Sequence, residues 1–334
     1  MRVGVIGGGS FGTALARLLA ELEHDVVIWF HNPEVARTTA AERENKVYLP
    51  GFPLPARLSV TTSMEEAVRD RELLLAVSPS HVMRAVMTQA RDHVRGTPYI
   101  VSASKGVEEG SQKRMSEVLL EVFGEALADR VAVLSGPSFA KEVAAGMPTA
   151  VTAAAHHMQT AEAVQGVFHA PMFRVYTGND VAGVEIGGAV KNVIAIAAGV
   201  IDGLGLGNSS RAALITRGVA EIARLVTKMG GDPQTVSGLS GVGDLVLTCT
   251  GDLSRNRTVG VRIGRGERLR DILASMQMVA EGVRNSISIA ALARQAGVEM
   301  PITEQIRLML HEDKPAYQVM GDLMTRQAKR EFWS

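Results

Sequence analysis

The segment VGVIGGGSFGTALARLLAE, residues 3–21, decides how this chain begins to fold. It opens with a short apolar run typical of a buried strand, and residues 10–22 carry the apolar stripe of a helix. Between them Gly7, Gly9 and Gly12 have the spacing G-x-G-x-x-G. In this position such glycines permit a tight turn, close backbone approach to a pyrophosphate and close packing of helix on strand. The segment therefore predicts a dinucleotide-binding turn, although the spacing alone would also fit a tight turn without a ligand.

Strand and helix continue to alternate through the first half of the chain. Short apolar runs predict strands buried on both faces of a parallel sheet. They lie at residues 3–6, 26–30, 73–77, 99–102 and 131–134, and two further strands at 149–154 and 173–176 complete the sheet. The second half reads as helices without a convincing strand, at residues 181–201, 209–229, 281–295, 302–310 and 316–327.

We therefore expect an α/β fold with two domains. An N-terminal doubly wound domain of Rossmann type occupies residues 1–179, and an all-α C-terminal domain occupies residues 180–334. In such an arrangement the ligand usually lies in the crevice between the domains, at the carboxyl ends of the strands.

Composition limits the class of partner. Lys plus Arg equals Asp plus Glu at 35 each, so no overall charge attracts nucleic acid or an anionic membrane. The longest stretch without a charged side chain, residues 143–161, is interrupted by Gly146 and Pro148, and the chain does not start with a secretory signal pattern. Cys249 is the single cysteine and cannot form an intrachain disulfide. We expect a cytoplasmic protein with a small-molecule partner, without nucleic acid and without stable membrane insertion.

A proline-rich loop follows the second predicted helix. Residues 46–57 contain three prolines around Gly51, so regular structure is not expected there. Such a loop can be a flap that moves on ligand binding or a plain surface connection, and the sequence leaves both open.

The end of the second predicted strand lacks a carboxylate. Roughly 20 residues after the glycine turn, an NAD-binding chain usually offers Asp or Glu to the ribose hydroxyls. Here residues 28–32 read IWFHN, and Glu34 falls in the first turn of a helix that Asn32 caps and Pro33 begins. We therefore predict binding of NADP or NAD with NADPH favoured, and with His31 beside the 2′-phosphate. A solvated loop histidine is the alternative.

Two predicted strands end in polar residues that face the crevice. Lys105 follows one strand in the stretch SASKG, and Gly136 and Ser138 follow another in LSGPSF. Gly136 allows close approach, and Ser138 offers a hydroxyl. A solvated lysine and a serine that caps the next helix are the plain alternatives.

A third polar residue, Lys191, interrupts an apolar helix. Residues three, four and seven positions away are mostly small, namely Gly187, Gly188, Ala195 and Ala198. A lysine buried on such a face, beside other cations, has its pKa lowered toward the range useful for proton transfer. A helix-packing notch with a lysine that snorkels to solvent is the alternative.

Two further segments offer charged groups. Asp244 follows a glycine-rich turn and can pair with a lysine, and Arg255 and Asn256 suit a phosphate. Cys249 has no histidine nearby in sequence and is interpreted as a small buried residue. His156 and His157 lack carboxylate or cysteine neighbours, so no metal site is predicted.

Together these segments resemble the bacterial NAD(P)-dependent glycerol-3-phosphate dehydrogenase family. The resemblance covers nearly the whole chain and rests on the motifs GGGSFGTALA, SASKG, LSGPSFAKEV, VEIGGAVKNVIAIAAG, GVGDLVLTCTGDLSRN and VAEGV, in family order and spacing. It implies reversible reduction of dihydroxyacetone phosphate to sn-glycerol 3-phosphate, a precursor of glycerophospholipids, and it suggests a homodimer.

The resemblance also implies residue roles. Lys191 is the general acid/base, and Lys105 contacts both cofactor and substrate. The other substrate-site residues are Gly136, Ser138, Asp244, Ser254, Arg255 and Asn256. The cofactor positions are Gly7, Gly9, Ser10, Phe11, Gly12, His31, Ala140, Arg255, Val279 and Glu281.

Two other functions fit the same plan less well. One is a different two-domain Rossmann reductase that acts on a hydroxy acid, because the fold alone does not determine the substrate. The other is a non-catalytic NADPH-sensing protein, which would need neither Lys191 on a face of small residues nor a phosphate-binding Arg255.

Overall fold

The computed structural model describes residues 1–276, 278–328 and 330–331. Its strands are β1 (Arg2–Ile6), β2 (Asp25–Trp29), β3 (Leu58–Thr61), β4 (Leu73–Ala76), β5 (Tyr99–Ser102), β6 (Val131–Ser135), β7 (Thr149–Ala154) and β8 (Phe173–Gly178). They form one sheet in the order β3-β2-β1-β4-β5-β6-β7-β8. Neighbouring strands are parallel except β6 and β7, which run antiparallel.

Helices connect these strands and then form the second half. Those within the sheet region are α1 (Ser10–Glu21), α2 (Pro33–Glu42), α3 (Met64–Val68), α4 (Met83–Arg91), α5 (Met115–Phe123), α6 (Ala140–Ala144) and α7 (Met158–Phe168). Those after it are α8 (Val181–Gly203), α9 (Gly207–Lys228), α10 (Pro233–Val236), α11 (Asp244–Thr250), α12 (Arg255–Gly264), α13 (Leu269–Ala274), α14 (Glu281–Ala296), α15 (Pro301–His311) and α16 (Ala316–Met324). We call β1 to β8 with α1 to α7 the sheet domain, and α8 to α16 the helical domain.

Both faces of the sheet are covered, as the apolar runs predict. On β4, Leu73 and Leu75 join the apolar cluster on one face, and Leu74 and Ala76 join the cluster on the other. Successive side chains of a strand point to opposite faces, so a strand buried on both needs an unbroken apolar run. The doubly wound fold is therefore confirmed.

The sequence-based prediction missed several short elements. β3 is an edge strand of four residues, and its LSVT sequence is too short to show a clear period. The helices α10 to α13 lie in glycine-rich or charged sequence, so tertiary packing rather than periodicity stabilises them. Residues 46–57 contain neither helix nor strand, as expected.

The helical domain is arranged around α8. This helix is long and apolar enough to cross a membrane by length and composition, but its most apolar stretch is entirely buried inside the structure, as in the core helix of a globular domain. Helices α9, α11, α12 and α14 pack against it. No strand occurs after Gly178 in the described part of the chain, in agreement with the prediction of an all-α second half.

Candidate active site

The glycine turn between β1 and α1 has the geometry that its spacing predicts. Gly7 has a φ of 131°, which disfavours other residues, and a Cβ on Gly12 would collide with the carbonyl oxygen of Gly7. Gly9 instead faces open space. No side chain caps α1, and its first turn has no acidic residue. The free N–H groups and positive end of α1 are thus available to an anion.

Ser10 connects this turn to two distant segments. Its hydroxyl oxygen lies 2.5 Å from the carbonyl oxygen of Tyr48, in the proline-rich loop, and 3.0 Å from Sδ of Met278. Val279 follows Met278 and is exposed, and Glu281 begins α14. The predicted cofactor residues at the two ends of the chain are therefore brought to the same edge of the sheet.

The carboxylate of Glu281 lies in a partly buried position at this edge. It accepts a hydrogen bond of 3.2 Å from the Ser80 hydroxyl. Burial raises its pKa, while Ser80 and the charge of Arg255 oppose that rise. Glu281 and Arg255 are therefore close enough to interact electrostatically.

His31 lies at the exposed end of β2. Its ring centroid is 5.9 Å from that of Trp29, and the residue is exposed. Asn32 caps α2, as predicted, by accepting from the N–H groups of Glu34 and Val35. The Glu34 carboxylate is paired with a guanidinium nitrogen of Arg37 at 2.6 Å. The geometry leaves open both interpretations of His31.

Phe11 and Lys105 join the cofactor edge to the inner part of the crevice. The Lys105 ammonium lies 5.8 Å from the centroid of the Phe11 ring. Ala140 is the first residue of α6, which packs against α1. Lys105 therefore lies between the glycine turn and the helical domain.

The inner part of the crevice contains two lysines on one carboxylate. Lys105 Nζ donates to Oδ2 of Asp244 at 2.7 Å and to the carbonyl oxygen of Gly136 at 3.0 Å. Lys191 Nζ donates to Oδ1 of the same Asp244 and to Oγ1 of Thr248 at 2.9 Å. Asp244 is 1% exposed. The lysine cluster, by which we mean Lys105, Lys191, Asp244 and Thr248, thus joins the segment after β5 to α8 and α11.

Burial changes the acid–base chemistry of Lys191. It lowers the pKa of the ammonium to about 7; Asp244 opposes this shift, and the nearby charge of Lys105 adds to it. The side chain is only 7% exposed, so the interpretation of Lys191 as a snorkelling lysine is wrong. A lysine with this pKa changes protonation state near neutral pH.

Gly136 and Ser138 form a turn beside Lys105. The Ser138 hydroxyl donates to the carbonyl oxygen of Gly136 at 2.9 Å. The residue that precedes α6 is Phe139, and no side chain caps that helix, so the alternative role of Ser138 as a helix cap is wrong. The Gly136 carbonyl therefore accepts from both Ser138 and Lys105.

The three consecutive residues predicted for the substrate differ in availability. The Ser254 hydroxyl caps α12 by accepting from the N–H of Arg257 at 3.2 Å. Asn256 is buried and donates to Oδ1 of Asn192 at 2.9 Å, while it accepts from the N–H of Gly282 at 2.9 Å. Arg255 is exposed in the first turn of α12. Of the three, Arg255 has the side chain most available to an anion.

Sequence reasoning missed two partners at this site. Thr248 lies one helical turn after Asp244, a spacing that could have indicated it, and its hydroxyl also donates to the Asp244 carbonyl at 2.6 Å. Asn192 follows Lys191 directly and meets Asn256 only through tertiary packing. Cys249 is confirmed as a buried residue, and burial raises the pKa of its thiol to about 12.

The arrangement suits reduction of a small anionic carbonyl compound. Two ammonium groups can stabilise the negative charge that develops on a carbonyl oxygen, and one of them can transfer a proton at neutral pH. The glycine turn provides the anion site for a dinucleotide, and Arg255 offers a guanidinium beyond it.

Known proteins are similar to this chain over nearly its full length. Residues 2–161 match the family described as NAD-dependent glycerol-3-phosphate dehydrogenase N-terminus, and residues 180–321 match the corresponding C-terminus family. The chain is 55% identical over 330 residues to a glycerol-3-phosphate dehydrogenase [NAD(P)+] of Geobacter metallireducens, covering 99% of this chain and 98% of that protein. A Geobacter sulfurreducens protein of the same name is 54% identical over 332 residues, covering 99% of both.

Solved structures agree with the sequence relatives. The crystal structure of a glycerol-3-phosphate dehydrogenase from Coxiella burnetii superimposes with a TM-score of 0.93 at 38% identity, and the match covers 97% of this chain and 99% of that one. Both domains and their order are therefore shared with that enzyme.

Proposed function

Because this chain belongs to the NAD(P)-dependent glycerol-3-phosphate dehydrogenase family and interconverts dihydroxyacetone phosphate and sn-glycerol 3-phosphate, we propose that Lys191 is the general acid and base of the reaction. One observation carries the proposal: a buried ammonium, held by Asp244 and Thr248, has its pKa lowered by burial to about 7. A group of that pKa can give and take a proton at neutral pH. Lys191 protonates the carbonyl oxygen in the reductive direction and removes the proton in the oxidative direction.

The bound nicotinamide cofactor supplies or accepts the hydride. The residues present fit this group, because Gly9 faces open space and α1 begins without a capping side chain or an acidic residue. Gly7, Gly9 and Gly12 would hold the pyrophosphate. The remaining residues proposed to hold the cofactor are Ser10, Phe11, His31, Lys105, Ala140, Arg255, Val279 and Glu281.

Lys105 and Asp244 support the proton transfer. The Lys105 ammonium stabilises negative charge that develops on the substrate oxygen, and it keeps the pKa of Lys191 low through charge repulsion. Asp244 accepts from both ammonium groups and holds them on one carboxylate. A fixed pair of donors needs little reorganisation during the reaction.

The substrate phosphate is bound by Arg255 in this proposal. Its guanidinium lies at the start of α12, where burial lowers its pKa and the charge of Glu281 opposes that shift, and it can donate two parallel hydrogen bonds to phosphate oxygens. Gly136, Ser138, Ser254 and Asn256 complete the substrate site, Asn256 by holding α12 to α8 and α14. Binding energy from the phosphate can then be used at the reacting carbon.

We propose that NADPH is favoured over NADH. Support comes from the end of β2, where the first carboxylate is Glu34 and this carboxylate is paired with Arg37. A free carboxylate at that position would accept from the ribose hydroxyls of NADH and repel a 2′-phosphate.

Three further proposals concern the organisation of the enzyme. The domain boundary lies between residues 179 and 180, supported by the end of β8 at Gly178 and the start of α8 at Val181. The enzyme works in the cytoplasm, in keeping with a single, buried cysteine. It supplies glycerophospholipid synthesis, for which the family resemblance is the support. It is a homodimer, for which the family resemblance is the support, and sedimentation velocity would test it.

One assay tests the proposed chemistry. NADPH oxidation is followed with dihydroxyacetone phosphate, with unphosphorylated dihydroxyacetone and with a 2-keto carboxylate. We expect turnover with the phosphorylated ketone and a much lower kcat/KM without the phosphate. Turnover of the carboxylate in place of the phosphorylated ketone would favour the hydroxy-acid reductase, and NADPH binding without turnover would favour the sensing protein.

A further inference from the structure

The segment of residues 103–116 carries Lys105 from the sheet domain into contact with the helical domain. It begins after β5 and ends in the first turn of α5. Val107 and Arg114 form a bridge at its base. Val107 is 3% exposed and belongs to the apolar core of the helical domain, which includes Ile186 and Ala189 of α8. The position of Lys105 therefore depends on how this segment is held against α8.

A buried glutamate holds the far end of the segment. Glu185 of α8 accepts from the Ser116 N–H at 2.8 Å and from the Ser116 hydroxyl at 2.5 Å. A guanidinium nitrogen of Arg114 lies 3.7 Å from the same carboxylate. Glu185 lies six residues before Lys191 on α8, about 9 Å along the helix axis. It thus connects the helix of Lys191 to the segment of Lys105.

Asn285 of α14 holds the near end. Its Nδ2 lies 3.3 Å from the carbonyl oxygen of Lys105 and 3.3 Å from that of Ala189 on α8. Asn285 is fully buried. The segment is therefore held at both ends, and loss of the Glu185 contact leaves the backbone of Lys105 bound to the helical domain through Asn285 without the second attachment at α5.

We propose that Glu185 is a positioning residue, which sets Lys105 relative to Lys191 by fixing residues 103–116 to α8. The proposal rests on the roles proposed above for the two lysines. A buried carboxylate is costly unless it is well partnered, and removal of one member of a buried, hydrogen-bonded group is destabilising because its partners are left unpaired. Here the partners of the carboxylate belong to the segment that carries Lys105, so its removal affects the distance between the two ammonium groups.

Glu221 is a matched control within the same chain. It is also a buried glutamate that accepts from a helix N-terminus, namely from the N–H of Ile302 at 2.6 Å and from the N–H and hydroxyl of Thr303 at 3.3 and 3.2 Å. It joins α9 to α15, within the helical domain, and its carboxylate forms its hydrogen bonds with Ile302 and Thr303 rather than with the lysine cluster. A purely structural role predicts the same behaviour for both glutamates.

The test compares alanine and glutamine at both positions. For Glu185→Ala we expect kcat to fall about tenfold, with a smaller rise in KM for NADPH because Lys105 is only one of the residues proposed to hold the cofactor. Glu185→Gln keeps an acceptor for Ser116 and should recover kcat to within about threefold of wild type. Glu185→Ala and Glu221→Ala should lower Tm by similar amounts, because each leaves buried donors unpaired, but Glu221→Ala should leave kcat within about twofold. If kcat is unchanged in both alanine variants, or lowered equally in both, the proposal is overturned.

Two further measurements show whether Glu185 acts through Lys105. In a Lys105→Ala background, Glu185→Ala should lower kcat by no more than about twofold further; a full, additive decrease would overturn the proposal. In the otherwise wild-type enzyme, Glu185→Ala should raise the pKa seen in the kcat profile, because Lys105 and Asp244 both face Lys191 and a displaced Lys105 repels its proton less.

A smaller change decides the question if Glu185→Ala does not fold. Ser116→Ala removes only the hydroxyl donor, and we expect kcat to fall about threefold with a smaller change in KM for NADPH. An unchanged kcat in this variant would count against the positioning role. Lys191→Ala in the same assay separates the two proposals. Normal turnover in the Lys191 variant would overturn the role of Lys191. If the Lys191 variant loses turnover while Glu185→Ala keeps a normal kcat, only the role of Glu185 is overturned.

Discussion

The glycine turn and the lysine cluster lie at the same edge of the sheet but are built from different parts of the chain. The turn uses seven consecutive residues, Ile6 to Gly12, and presents backbone N–H groups to its ligand. The cluster uses side chains from three elements, and its members Lys105 and Asp244 are 139 residues apart in sequence. The turn binds what every dinucleotide has in common, whereas the cluster determines which reaction takes place. Binding and chemistry should therefore be separable by mutation.

The largest separation is expected for Lys191→Ala. Loss of the proton donor should lower kcat by about a thousandfold, while the dissociation constant of NADPH changes little because the glycine turn is untouched. Stopped assays at high enzyme concentration measure kcat, and fluorescence titration measures the dissociation constant of NADPH. Lys228→Ala, at an exposed lysine in the last turn of α9, is the control. Near-normal turnover in the Lys191 variant would refute the proton-transfer role.

Arg255→Ala should separate phosphate binding from proton transfer. Loss of a charged, two-pronged contact should raise KM for dihydroxyacetone phosphate about a hundredfold, with a smaller effect on kcat. Unphosphorylated dihydroxyacetone is the internal control, because its slow turnover should hardly change in the variant. With NADPH at a saturating concentration, an equal loss on both ketones would contradict the proposed contact between Arg255 and the substrate phosphate.

Two alanine substitutions in the glycine turn test cofactor binding while they leave the lysine cluster unchanged. Gly9→Ala places a methyl group in open space, where the pyrophosphate is proposed to lie, so the dissociation constant of NADPH should rise about thirtyfold with an unchanged Tm. Gly12→Ala collides with the carbonyl oxygen of Gly7 and should lower Tm as well. Calorimetry and fluorescence titration of both variants distinguish these outcomes. Unchanged NADPH affinity in Gly9→Ala would show that the pyrophosphate does not bind at this turn.

The kcat values for reduction and for oxidation should depend on pH in opposite ways, because the two directions need different protonation states of Lys191. Burial lowers the pKa of Lys191 to about 7. Reduction needs the protonated ammonium, so kcat should fall about tenfold per pH unit above that pKa; oxidation needs the neutral amine, so kcat should fall about tenfold per unit below it. A reductive rate that rises with pH would contradict the assignment of Lys191 as the acid.

The contrast between the two regions also explains what could be predicted from the sequence. Strands such as β4 and the glycine turn depend on local patterns, and they are where the sequence places them. The presence of Lys105, Lys191 and Asp244 at the site follows from family motifs. That both lysines pair with the carboxylate of Asp244 could be seen only in the structure. The contact between Glu185 and Ser116 could not be predicted from the sequence, because Ser116 lies 69 residues away and in the other domain.

The smallest expected effect concerns the choice between NADPH and NADH at the exposed end of β2. His31→Asp supplies the carboxylate that this position lacks, so it should accept from the ribose hydroxyls of NADH and repel the 2′-phosphate of NADPH. We expect the ratio of kcat/KM values for NADPH and NADH to fall about fivefold, with kcat unchanged because the lysine cluster is distant in sequence and untouched. His31→Asn removes the imidazole without adding charge and separates the two contributions. A wild-type enzyme with a large preference for NADH would contradict the premise, and an unchanged ratio in His31→Asp would place the 2′-phosphate away from His31.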